Sequence, residues 1–236
     1  MFSKIYTNRN YYSRYRRFWL LVILNGLFTF AGTGQIKDMG LPFINNYNKN
    51  TYKASNQNWS IAQNDKGFLY FGNNDGLLEF DGSYWELYPL PKRTILRSIL
   101  AKGDTIFAGA FEEIGYFVPG GDGKMHFNSL VHLIPEYFRA FDEIWKIHNT
   151  SSGIVFQSFR FLFVFNNHQI KVIEPFSTFT QSFLVNGNAY IIDRKKGLYR
   201  LSARGLEPVF NDPLFQRTEV RSLLYRGADE LLLGTS

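Results

Sequence analysis

Apolar and polar positions alternate along this chain in short runs, each closed by a turn signal. The clearest case is Asn58–Trp85, which reads NWSIAQNDKGFLYFGNNDGLLEFDGSYW. Period-two alternation over Asn58–Ala62 predicts a strand, and Asn64-Asp65-Lys66-Gly67 a turn. Phe68–Gly72 is a second strand, Asn73-Asn74-Asp75-Gly76 a second turn and Leu77–Phe80 a third strand. Asp81-Gly82 is a tight hairpin signal before a fourth strand at Tyr84–Tyr88. One meander of four short strands cannot bury its own faces, so the unit needs neighbours of its own kind.

Copies recur along the chain. The first-strand signature Trp59-Ser60-Ile61 returns as Arg97-Ser98-Ile99, Trp145-Lys146-Ile147, Phe183-Leu184-Val185 and Arg221-Ser222-Leu223. The second-strand signature Leu69-Tyr70-Phe71-Gly72 returns as Ile106–Gly109, Val155–Ser158, Tyr190–Asp193 and Leu232–Gly234. Third strands open at Gly76-Leu77, Gly115-Tyr116, a degenerate Arg160-Phe161, and Gly197-Leu198. Second-strand ends at 72, 109, 158, 193 and 234 are 37, 49, 35 and 41 residues apart. A four-stranded repeat of about 40 residues is the mark of a β-propeller blade. The period-two pattern excludes helical solenoids of similar period. The expected fold is therefore all-β, a propeller of four-stranded antiparallel blades. Blades are expected at about 57–89, 94–129, 141–173 and 180–209, with an incomplete one at 219–236. Extra length at 131–140 predicts a short helical turn between blades two and three.

The pattern [Val/Leu]-Arg-Ser-[Ile/Leu], a turn, then [Ile/Leu]-aromatic-x-Gly-[Thr/Asn]-x-x-Gly-[Leu/Ile] resembles the two-component regulator propeller repeat. It is carried by Leu96–Ile99, Val220–Leu223, Leu69–Leu77 and Leu232–Thr235. The opening, Pro42–Tyr52 and then Gln57–Trp85, is similar to the start of periplasmic sensor propellers in transmembrane regulators. Those are hybrid two-component sensors, and regulators with a triple-tyrosine domain and a cytoplasmic helix-turn-helix. The resemblance covers about residues 40–236. It implies a seven-bladed ring, of which this chain holds four and a half blades. It also implies a full-length protein with the remaining blades, a membrane span, an output domain such as a histidine kinase, and a possible homodimer. Ser236 follows the second-strand signature of unit five, so the chain is expected to be the N-terminal part of that protein.

The N-terminus changes the picture of charge. Residues 1–17 carry Lys4, Arg9, Arg14, Arg16 and Arg17 and no acid; Phe18–Ala31 is apolar but for Asn25, Gly26 and Thr29, and Ala31-Gly32-Thr33-Gly34 is a small-residue exit. This reads as a signal peptide over 1–34, with a lead-in segment over 35–56. The apolar run is shorter than the roughly 20 residues of a comfortable membrane span. The whole chain has 26 basic and 20 acidic residues; without those five it has 21 against 20, a net of +1. The basic balance thus belongs to the targeting segment, and no nucleic-acid partner is expected. There is no Cys, so an exported, periplasmic domain must be held by its core alone. Pro42-Phe43-Ile44 could form a strand that joins a final blade.

Candidate chemistry is sparse. His126, His132, His148 and His168 lie in different segments without metal-ligand spacing. Glu112-Glu113 sits at a turn, where neighbouring strand residues point to opposite faces. Asn73-Asn74-Asp75-Gly76 lacks the spacing of a calcium loop, and Arg194-Lys195-Lys196 reads as a solvated turn. No metal or cofactor is expected. The residues that stand out are Trp59, Arg97, Trp145, Phe183 and Arg221, near the start of each innermost strand. Aromatic faces and Arg forks there suit sugar rings with uronate or sulfate groups, while packing between blades is the competing role. Three functions fit: a periplasmic ligand-sensing propeller of a transmembrane regulator; a secreted propeller glycoside hydrolase or polysaccharide lyase; and a ligand-free interaction propeller. The innermost strands supply no converging acids, so the expectation is a non-enzymatic sensor of an oligosaccharide or other small ligand.

Overall fold

The computed structural model describes residues 44–227 and 230–236. The expected signal peptide and the possible strand at Pro42-Phe43 lie outside them. Residues 44–48 carry no strand, and the lead-in instead forms a helical turn, α1 (Lys49–Tyr52). Asn48 caps it, its side chain accepting from the Asn50 and Thr51 amides. Tyr47 and Tyr52 pack on Trp85, with ring centroids 5.3 and 5.6 Å away.

Four antiparallel meanders follow. Blade one comprises β1 (Asn58–Gln63), β2 (Leu69–Asn73), β3 (Gly76–Phe80) and β4 (Trp85–Tyr88). Blade two comprises β5 (Leu96–Lys102), β6 (Thr105–Ala110), β7 (Glu113–Pro119) and β8 (Met125–Ser129). Blade three comprises β9 (Lys146–Thr150), β10 (Gly153–Gln157), β11 (Leu162–Asn166) and β12 (Gln169–Ile173). Blade four comprises β13 (Phe179–Val185), β14 (Asn188–Asp193), β15 (Gly197–Leu201) and β16 (Leu206–Phe210). A turn of helix, α2 (Leu214–Arg217), leads to a hairpin of β17 (Val220–Tyr225) and β18 (Leu231–Thr235). The first strands β1, β5, β9, β13 and β17 pack one against the next in that order. The extra length between blades two and three forms two 3-10 turns, Val131–Leu133 and Glu136–Phe138.

Blades two, three and four are covered on both faces, so their inner strands read as unbroken apolar runs while still alternating. In β10, Ile154 and Phe156 point into the core shared with blade two, and Val155 into the core shared with blade four. In β14, Ala189 and Ile191 face blade three, and Ile192 faces the β17–β18 hairpin. Every hydrophobic cluster lies between two sheets, so burial of apolar area is what ties the blades together.

The glycine that closes the second strand has a packing cause. A Cβ on Gly72 would meet the Ser60 hydroxyl at 2.5 Å and the Leu96 carbonyl of blade two at 2.9 Å. One on Gly109 would meet the Ile144 side chain at 2.5 Å, against blade three. These glycines let the next blade approach.

Strand pairing corrects the repeat register. Gly72, Gly109 and Gly234 pair with Ser60, Ser98 and Ser222. The partners of Lys146 and Gln181 at the same place are Gln157 and Ile192, one residue before the expected Ser158 and Asp193. The true spacings are therefore 37, 48, 35 and 42 residues. The third strands of blades two and three likewise begin at Glu113-Ile114 and Phe161-Leu162, since Ile114 and Leu162 pair where Leu77 does.

Candidate functional site

The first strands of blades one, two, four and five each carry a one-residue irregularity in their pairing, at Trp59, Arg97, Thr180 and Arg221. Trp145 holds the same place directly before β9, its amide donating to the Gln157 carbonyl. Blade four thus contributes Thr180, and Phe183 is three residues further along β13. Phe183 packs beside the core between blade four and the hairpin. The sequence comparison misplaced it because Phe183-Leu184-Val185 has the more apolar pattern, whereas the pairing selects Thr180-Gln181-Ser182.

Three members of the corrected row come together. The Arg97 guanidinium carbon lies 3.8 Å from the ring centroid of Trp59 and 5.2 Å from that of Trp145. The cation is held between two indoles from the neighbouring blades. Its Nη2 is 3.6 Å from Glu143, a residue of the segment leading into β9. The Trp59 ring is set by a bond from its Nε1 to Asn74 Oδ1 at 2.8 Å, and Trp145 lies 5.6 Å from Phe159. Trp59 remains 39% exposed, and Phe111 and Phe159 in the turns of blades two and three are also exposed.

Arg97 Nε and Nη1 and Trp145 Nε1 are buried without a hydrogen-bond acceptor. They are three of the five buried, unpartnered side-chain polar atoms among the described residues. Such a donor costs about 1–3 kcal/mol when its partner is missing. The stack therefore holds unused donors beside exposed aromatic faces. Chemically, it can receive a ring with an apolar face and acceptor oxygens.

Arg221 differs. It is 69% exposed, and among the described residues its ion pair is with Glu219, two residues away, at 3.2 Å. It holds the expected place in the row, but among the described residues no cross-blade contact orders it.

Asp142-Glu143 is an acid pair that the sequence reading missed. Its signal is its position just ahead of Trp145, outside the repeated strands. Burial pushes the Asp142 carboxyl up, opposed by hydrogen bonds including that from the Phe159 amide at 3.0 Å, and the Glu143 charge adds to the rise. With Glu143 against Arg97 and Asp142 against that amide, both carboxylates are already engaged. Glu113 is no solvated turn residue. It is buried, accepts from the Ser129 hydroxyl at 2.6 Å and lies 3.8 Å from Lys92. Asn73-Asn74-Asp75-Gly76 is a turn whose side chains hold the lead-in: Asp75 accepts from the Ser55 amide and Asn73 donates to the Ser55 carbonyl. Arg194-Lys195-Lys196 is an exposed turn.

Of the histidines, His148 is buried between blades three and four. Its Nε2 lies 2.8 Å from Ser182 Oγ, which donates to Gln157 Oε1 at 2.8 Å. The Ser182 proton is committed to Gln157, so His148 Nε2–H must be the donor to Ser182. Burial and the nearby Lys146 charge push its pKa down to about 4. This is an inter-blade bonding chain of buried side chains.

Two crystal structures from B. thetaiotaomicron are similar to this chain. One is the extracellular domain of a hybrid two-component system, 15% identical, with a TM-score of 0.54 over 75% of this chain and 25% of that one. The other is described as the extracellular domain of a one-component system, 15% identical, with a TM-score of 0.53 and the same coverage. The fold is a β-propeller. The propeller segment spans about a quarter of the length of these structures. No family model and no curated protein matches the chain. No helix among the described residues is long and apolar enough to cross a membrane.

Proposed function

We propose that this chain is the ligand-sensing propeller of a transmembrane signalling protein, exported to the periplasm by residues 1–34. The observation that carries the reading is Arg97 between Trp59 and Trp145, with buried donors left over. No core requires an arginine there, and unpaired buried donors are the feature that a ligand's acceptors would relieve. Two similar structures are extracellular domains of signalling systems, which supports the same reading. Remaining blades, a membrane span, an output domain and a homodimeric assembly belong to this proposal. The ligand is a small hydroxylated ring compound such as an oligosaccharide, its apolar face on Trp59 and its oxygens toward Arg97 and Trp145.

The test is a thermal-shift screen of the purified protein against a glycan library, repeated with Trp59→Ala. A hit that raises the melting temperature of the wild type and loses that effect in the variant supports the site. A hit that stabilises both equally removes the stack from recognition. Mass spectrometry of the exported protein checks the export claim; a mature start near Gln35 is expected, and a retained Met1 refutes cleavage.

A further inference from the structure

Beyond the axial stack there is a second cleft on the same end of the blades, between the 3-10 insertion and the β12–β13 connection. It has a volume of about 560 Å³ and is lined by Tyr137, Phe159, Arg160, Glu174, Ser177 and Thr178, with Phe161 and Pro175 as its remaining walls. That volume falls within the usual range for a small-molecule site.

The insertion is firmly held. Leu130 and Phe141 at its two ends and Ile134 between its two turns are buried, and Phe138 packs edge-on against Phe161 at 5.4 Å. Arg139 donates to the Ile134 carbonyl at 2.8 Å and the His132 carbonyl at 3.3 Å, closing the segment on itself. Tyr137 is nevertheless 83% exposed, its ring edge-on to the neighbouring Phe138 at 5.0 Å, so this anchored segment projects a large aromatic ring into water. The facing wall is equally set. Ser177 donates its amide and hydroxyl to the Asp193 carboxylate, at 2.8 and 2.6 Å.

Arg160 supplies the charge. One guanidinium nitrogen donates to the Ala140 carbonyl at 2.8 Å, and the group sits 5.4 Å from the Phe161 ring centroid. Asp142 lies within its electrostatic reach. Yet no carboxylate makes an ion-pair contact with Arg160 among the described residues, in contrast to Arg97, Arg200 and Arg221. Its remaining donors are therefore available to an anion, and Arg forks match carboxylate and sulfate geometry. Glu174 in the same wall can accept from hydroxyls.

We infer that this cleft is a binding subsite for a hydroxylated ring bearing one anionic group, with Tyr137 and Phe159 on the ring face and Arg160 on the anion. The inference rests on the reading of the domain as a ligand-sensing module. Phe159 also packs on Trp145, so the two sites adjoin through one side chain. Acidic recognition falls to Arg160, because Arg97 already has Glu143 opposite it.

The experiment is calorimetry on the purified protein with three sets of defined oligosaccharides: uronate-bearing, sulfated and neutral. Uronate or sulfate sugars are expected to bind more tightly than neutral ones, and the better of the two names the anion. Arg160→Ala should erase that preference, by about tenfold or more in Kd. Tyr137→Ala should weaken anionic and neutral sugars alike, by about threefold to tenfold. Tyr137 is so exposed that its removal leaves the fold intact, which a circular dichroism melt verifies. Trp59→Ala is the control for the axial stack. Loss of binding in Trp59→Ala with Tyr137→Ala and Arg160→Ala unchanged overturns this cleft and leaves the sensor reading standing. Failure of all three sugar sets to bind also overturns the cleft, and the broader glycan screen then decides the sensor reading separately.

Discussion

Arg97 and Trp59 come from consecutive blades, yet the guanidinium carbon of one lies 3.8 Å from the ring centroid of the other. The contact crosses the seam between two sheets, so it contributes to packing between blades one and two. Its cation is largely withdrawn from water, with only 13% of the Arg97 side chain exposed. Cation–π contacts in such settings contribute about 0.5–2 kcal/mol each.

Arg97→Ala is accordingly expected to lower stability by about 1–3 kcal/mol, read as a shift in the urea midpoint. Arg97→Met keeps the stem and removes the unpartnered donors, so its loss should be smaller. If Arg97→Met and Arg97→Ala are equally destabilised, charge matters more than packing.

Arg221→Ala should leave stability, read from the urea midpoint, within about 0.5 kcal/mol of wild type. Its ion pair with Glu219 is short-range in sequence and solvent-exposed. A larger loss would mean that Arg221 has a partner beyond those described.

Gly109→Ala should destabilise by about 1–3 kcal/mol through overpacking against Ile144. Gly121→Ala, where a Cβ meets nothing within 4 Å, is the matched control. Equal midpoints for the two variants would contradict close approach of blades two and three at this seam.

His148 sets a pH dependence. Its folded pKa is depressed to about 4 from an ordinary value of 6.5. The unfolded chain therefore takes up the proton first, and stability falls as pH drops from about 6.5 toward 4. The full effect over that window is about 3 kcal/mol. His148→Gln can keep a donor toward Ser182 and removes the titration. Urea midpoints at pH 7, 5.5 and 4.5 should decline more steeply for wild type than for the variant. Parallel declines would assign the acid sensitivity to other groups.

Much of this was legible along the chain. Turn residues such as Asp81-Gly82 and the alternating runs define four-stranded units because strand formation and hairpin turns are local events. The glycines at 72, 109 and 234 marked the repeat, although their cause, the approach of a neighbouring blade or a serine of the adjacent strand, is tertiary. Trp59, Arg97 and Trp145 were singled out by their repeat position, and Phe183 was misplaced by a shift of three residues within a long apolar strand. An alternating pattern tolerates such slips on paper, whereas the bulged pairing at Thr180 admits one register only. Asp142-Glu143 escaped notice because their segment carries no repeat signature.

The amino-acid sequence by itself determined the blade, its approximate period and four of the five members of the first-strand row, Trp59, Arg97, Trp145 and Arg221. These follow from local propensity and the two-residue alternation of strands. Tertiary structure alone decided which of those residues meet. It put one cation between two indoles, gave Glu143 to Arg97, left Arg160 without a carboxylate ion pair among the described residues and buried His148 against Ser182. Each of these contacts joins groups on different blades or connecting segments, and side-chain burial, charge pairing and unpaired donors exist only once those elements are packed together.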